Sequence, residues 1–458
     1  MSFVDPVFPL FVLIAWAALH AAPTQHRWIR LGASCLFYAY SGVFTFGLLL
    51  VSSLVNYGLV KQVARGGTMR GWWLGWSVVV NLVPLTVFKF TDFLVLELAS
   101  AGGPRLAAPD WVLPLGISFW TFQAMAWTMD VGRGDGRAPK NLVEYLLFHT
   151  WFPQLVAGPI ERASRMLPQF ERFVPLGWAA TRVGISLALW GAFKKVVVAD
   201  SLGPYVDKVF ARSEPGAPLL AVAGLAFMVQ VYADFSGYTD IARGVSALFG
   251  VTLSENFKRP WLAASTPEFW SRWHVTMTTW IRDYALGPFL GVGPPSRIRE
   301  AVAVVGVLLL MGAWHGAGWN YLVFGLWHAF WMLLWSWSGV RPPAGGWRRV
   351  PFVVFHHVVV GWFGALLFRE PDPFRLARTL TGSWSPLPSD LAAMGTLLAL
   401  AVAGGCAVAF AEKQEGWLTR LAVREWERPV RVTGWAVAVG AVFVFGNEMG
   451  SDFVYFKF

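Results

Sequence analysis

Residues 297–321 read RIREAVAVVGVLLLMGAWHGAGWNY. Arg297 and Arg299 precede an apolar run over 301–315 with no Asp, Glu, Lys or Arg, and the run closes on His315, Gly316 and Gly318. It predicts a helix of about 15 residues, which rises only ~22 Å. A hydrocarbon core of ~30 Å needs about 20 residues, so the helix is expected to stop short of the far surface. His315 then sits at its end, inside the protein. The arginines at its head mark a cytoplasmic boundary. The glycines permit close approach of a ligand or a sharp chain reversal.

Apolar runs of this kind recur outward in both directions. They fall at 7–22, 30–42, 44–60, 72–98, 111–130, 142–157, 178–199 and 218–250 before this stretch, and at 319–338, 351–368, 391–411 and 432–447 after it. The 218–250 run is read as two helices. Over 458 residues the chain is 56% hydrophobic and only 14% charged, where soluble domains carry about 25% charge. The expectation is an all-α polytopic membrane protein of roughly 11–13 membrane helices, re-entrant and interfacial segments included, forming one integral domain over 1–458. Alternating strands of about 10 residues, which a membrane barrel needs, are not seen. Residues 1–22 lack a basic head and a small-residue cleavage site and are read as the first helix. The net charge of +10 is spread over short inter-helix segments such as 61–70, 341–349 and 424–431. That pattern fits cytoplasmic loops and argues against a nucleic-acid partner. Cys35 and Cys406 lie far apart in apolar runs and are expected to be buried thiols.

Ionisable residues inside apolar segments are functional candidates by default. Here they are His274, His315, His328, Asp234, Asp240, Asp130 and His149, while Lys194 and Lys195 are read as snorkelling from a helix end. The stretches 151–165 (WFPQLVAGPIERASR) and 230–244 (QVYADFSGYTDIARG) carry internal Pro, Gly and polar residues. They predict either re-entrant elements lining an interior site or ordinary interfacial loops. Residues 268–284, EFWSRWHVTMTTWIRDY, plotted at ~100° per residue, put Trp270, Trp273, His274, Met277, Trp280, Ile281 and Tyr284 on one arc. Arg272, Thr276, Thr279 and Asp283 fall on the other. An amphipathic, non-spanning helix is expected, with His274 on its apolar face as an anchor residue or as part of a site. An imidazole can accept and return a proton near neutrality, as acyl transfer to a hydroxyl requires. Serine-elbow, phosphate-loop, dinucleotide and zinc-protease motifs are missing, and the candidate His and Asp residues are not spaced at i,i+3 or i,i+4. Neither a metal nor a bound cofactor is expected.

Taken in order, several stretches resemble the membrane-bound O-acyltransferase family, in its bacterial alginate O-acetyltransferase-like branch. They are LPLGISFWTFQAMAWTMDVGRG (113–134), WFPQLVAGPIERASRMLPQF (151–170), FKKVVVAD (193–200), YADFSGYTDIARG (232–244), ENFKRPW (255–261), EFWSRWHVTMTTWIRDY (268–284) and WHGAGWNYLVFGLWHA (314–329). The closing DFVYFKF is similar more loosely. The resemblance implies a many-helix fold around a tunnel. It makes His315 the principal catalytic histidine and His274 its assistant, with Asp234, Asp240, Trp314, Asn320, Arg282 and Asp283 lining or supporting the tunnel. It further implies an acyl thioester donor such as acetyl-CoA, a multi-pass location in the bacterial inner membrane and an extracytoplasmic acetyl-transfer partner protein. The product is then an O-acetylated exported or cell-surface polysaccharide. D-alanyl transfer to teichoic acid is the sister activity, and a proton-coupled transporter using the same His and Asp residues is a reading from another class. The chain departs from the branch after Tyr284, where ALGPFLGVGPPSR replaces a Gly-Gly-Asn stretch. It also departs at Trp261, where tyrosine is common, and at Thr276 and Thr278, where serines are usual.

Overall fold

The computed structural model describes residues 3, 5–104, 106–107, 111, 113–421 and 428–445; the closing DFVYFKF lies outside them. Helices carry the structure, and no described residue belongs to a β-strand. Among the described residues, six helices are long and apolar enough to cross a membrane: Val43–Arg65, Arg70–Ser100, Ala217–Leu248, Arg297–His315, Trp347–Arg369 and Pro388–Glu412. A seventh arises if Val7–Ala21 and Pro23–Ala39, bent by 110° at their junction, count as one span. The larger number read from the sequence included short and broken segments, such as the eight-residue helix Leu142–His149 and the four-residue helix Phe152–Leu155.

One expected break is absent, and one helix is longer than expected. Residues 217–248 form one continuous 32-residue helix, so the polar stretch 230–244 is helical throughout and not re-entrant. Its polar side chains are accommodated by burial and pairing instead of by a broken backbone. The helix ending at His315 begins at Arg297, where Ser296 accepts the Arg299 N–H at 3.3 Å. At 1.5 Å per residue those 19 residues rise ~28 Å. The helix therefore has the length to span, because the cap recruits the charged residues before the apolar run.

The chain divides into two compact units. In the first, Met1–Ala188 with Thr239–Ser254, residues 151–161 are buried throughout. The Trp151 indole donates to Ser246 Oγ at 2.9 Å, and Trp151 and Phe152 pack against Phe249. Irregular backbone here is sheltered by protein, as membrane depth requires. His149 has both ring nitrogens engaged, with Ser53 Oγ at 2.9 Å and the Trp120 carbonyl at 3.0 Å. Asp240 pairs with Arg243 at 2.9 Å along one helix face. Cys35 is half-buried and, in the second unit, Cys406 is exposed, so neither is the fully buried thiol expected.

The second unit comprises Leu189–Tyr238 and the chain from Glu255 onward. Lys194 and Lys195 do not snorkel: each is 1% exposed. Lys195 lies 2.6 Å from Asp234 and 2.8 Å from Asp200, in a π-helical stretch over Phe193–Ala199. A buried charge needs partners, and two carboxylates supply them.

Candidate active site

The second unit contains an antiparallel hairpin, Arg297–His315 and Trp319–Ser338, in which two glycines let the backbones touch. A Cβ on Gly312 would lie 2.1 Å from the Tyr321 carbonyl oxygen, and one on Gly325 would lie 2.4 Å from that of Leu308. Small residues at such crossings are how helices approach closely without a large side-chain layer. The chain reverses at Gly316–Gly318, and Asn320 donates to the Leu367 and Phe368 carbonyls at 3.2 and 3.3 Å. Asn320 thus ties the start of the second helix to the Trp362–Arg369 helix. His315, the last helical residue, is 4% exposed and packs edge-on against Phe324 and Phe368.

A cavity of about 100 Å³ opens beside His315. Its walls are aromatic, chiefly Trp261, Trp270, Trp273, Phe324 and Phe368, and His328 and His357 join His315 in the lining. His328 and Trp270 are almost fully buried, with rings 5.1 Å apart, and His328 Nδ1 and Trp270 Nε1 have no protein partner. These walls are largely apolar and leave a few nitrogens able to address a polar group. His357 and its neighbour His356 were overlooked in the sequence. Two consecutive histidines inside the apolar run 351–368 satisfied the same criterion that singled out His315.

His274 is placed differently. The helix expected over 268–284 is interrupted: Thr266–Trp270 ends, residues 271–274 turn, and Val275–Ile281 starts again. His274 occupies the turn with φ +44 and ψ 51, a left-handed conformation uncommon for a residue with a Cβ. Such outliers persist only where the surroundings impose them. Here Asn256 does so: its carbonyl accepts the Val275 N–H at 2.9 Å. Its side-chain oxygen accepts from the Thr276 N–H at 3.2 Å and the Thr276 hydroxyl at 2.9 Å. Being an acceptor, that oxygen requires His274 Nδ1, 3.0 Å away, to carry the proton. Nε2 then holds the basic lone pair. Burial is complete and lowers the imidazole pKa below its usual value, so the ring stays neutral.

The two histidines share an aromatic neighbour. Trp314 lies 6.3 Å from the His274 ring and 4.9 Å from that of His315, centroid to centroid. His274 is not among the residues lining the cavity. Asp234 sits under Lys195 and belongs to the Asp200–Lys195–Asp234 ion cluster. Arg282 and Asp283 pair with each other at 2.9 Å, Arg282 being 67% exposed at its side chain. They are on the surface of the π-helical stretch Arg282–Leu286 and do not line the cavity.

Comparison with known proteins agrees with these motifs. Residues 118–355 match the membrane-bound O-acyltransferase family. The chain is 34% identical over 373 residues to a protein of Azotobacter vinelandii called "Probable alginate O-acetylase AlgI", covering 79% of this chain and 74% of that one. It is 31% identical over 350 residues to the peptidoglycan O-acetyltransferase of Helicobacter pylori, with 69% and 65% covered. Similarity at 27% identity extends to the teichoic acid D-alanyltransferase of Bacillus subtilis, covering 78% of this chain and 89% of that protein.

Proposed function

The chain belongs to the membrane-bound O-acyltransferase family, and from that premise we propose that it transfers acetyl groups, with His315 as general base, for O-acetylation of an exported or cell-surface polysaccharide. It is a multi-pass membrane acyltransferase. The observation that carries the finer reading is His315 itself: a buried imidazole at the end of a glycine-packed hairpin, lining a small aromatic cavity.

In the proposed reaction an acceptor hydroxyl gives its proton to the His315 imidazole while its oxygen attacks the carbonyl carbon of an acyl thioester. The carbon–sulfur bond breaks, and the departing thiolate takes the proton back from the imidazolium. Products are an ester and a free thiol, and the histidine is restored. Well-placed proton transfer of this kind contributes typically ~10²- to 10⁴-fold. His274, with its lone pair fixed on Nε2 and one indole away from His315, supports orientation or polarisation of the reacting group. Acetyl-CoA on the cytoplasmic side serves as donor, and an extracytoplasmic partner protein completes delivery across the bacterial inner membrane. The acetylating relatives support an acetyl group.

The test is mass spectrometry of surface polysaccharides from strains with and without the gene. Loss of O-acetyl groups on deletion, restored by the wild-type gene, is expected. Unchanged acetylation together with loss of D-alanyl esters would replace the reading by the sister activity.

A further inference from the structure

The aromatic cavity is braced from outside the family-matched region. Glu412 lies within the helix Pro388–Leu421, well beyond residue 355, and is only 9% exposed. A carboxylate buried on an apolar helix needs hydrogen bonds to offset its desolvation. Glu412 has two. The Trp261 indole N–H donates to its Oε2 at 3.2 Å, and the Tyr232 hydroxyl donates to Oε1. The Tyr232 ring also packs edge-on against Trp261. Trp261 is a wall of the cavity, and it stands where the sequence departs from the tyrosine common in the family.

We propose that Trp261 is a specificity-determining wall that disfavours longer acyl groups, and that Glu412 is the positioning residue that holds it in place. The inference rests on the cavity being the acyl site. Without Glu412 the indole loses the hydrogen bond that ties it to the Pro388–Leu421 helix.

The experiment compares initial rates of acyl transfer from acetyl-CoA and from butyryl-CoA in membrane vesicles containing the full chain. Wild type strongly prefers acetyl. Trp261→Ala should raise the butyryl-to-acetyl ratio by about tenfold or more, since one or two methylenes in an apolar pocket discriminate on that scale. Glu412→Gln and Trp261→Phe should raise it by a smaller, similar factor, each leaving a ring in place with a weakened tether. Equal loss of both rates would mean a merely structural role and overturn the proposal. An unchanged ratio in Trp261→Phe and Glu412→Gln would overturn it too, even if Trp261→Ala failed to accumulate. His315→Gln separates this from the underlying reading: if it abolishes transfer from both donors while the ratio stays fixed in the other variants, only the present inference fails.

Discussion

The hairpin of Arg297–Ser338 and the segment of Asn256–Leu290 each present a histidine to Trp314, but they hold it by opposite means. In the hairpin, two regular helices meet at Gly312 and Gly325, and close packing, including the rings of Phe324 and Phe368, positions His315. In the other segment the helix is broken, the histidine backbone is strained, and a side chain 18 residues away sets the geometry. Rigidity comes from close packing in one and from a hydrogen-bonded clamp in the other. The first should fail by unfolding, the second by losing orientation.

The largest expected effect follows from Gly312→Val. A Cβ there meets backbone and not a movable side chain, so the hairpin must separate at a loss of more than about 3 kcal/mol. Protein level in membranes, followed by immunoblot, should fall sharply; normal abundance with full activity would show that the close approach is not needed. Next is His274→Ala, which should lower acyl transfer by ~10²-fold or more. His274→Asn sharpens the point, because asparagine tolerates the left-handed conformation. It should keep the protein folded and thermally stable yet still lack activity, and full activity in the Asn variant would return His274 to a purely structural role. Asn256→Ala leaves the His274 Nδ1–H and Thr276 N–H without their acceptor, a penalty of roughly 1–3 kcal/mol. Since 1.4 kcal/mol is a factor of ten, transfer rates should fall ~10- to 100-fold. A stable variant with an unchanged rate would remove the clamp from the account. Smallest is Thr276→Ala, which deletes one of three hydrogen bonds to Asn256 Oδ1 and should cost about 1 kcal/mol in melting experiments. Thr276→Ser should restore it.

The same contrast explains what the sequence could disclose. His315 was legible because everything that places it is local: the apolar run, its terminal glycines and the hairpin turn are contiguous. The start of its helix was missed by four residues, since Arg297 and Glu300 look like loop until Ser296 is recognised as a cap. His274 was legible as buried, because 270, 274, 277 and 280 are buried across the break. The break was not, as helical periodicity continues through it and Asn256 enters from a distant stretch. Asp234 and Asp240 were read together as one motif, yet one pairs with Lys195 and the other with Arg243. The Asp240–Arg243 pair is local, at i,i+3, but the Asp234–Lys195 pair is long-range and leaves no local signal, which is why Lys195 looked like a snorkelling residue.

The central claim is that His315 moves the proton in acyl transfer. It is tested most directly by measuring acetyl transfer from acetyl-CoA in membranes containing His315→Gln at wild-type protein level. The account predicts a fall of ~10²- to 10⁴-fold. A rate within about twofold of wild type, with His274→Asn inactive, would contradict it and move the base to His274.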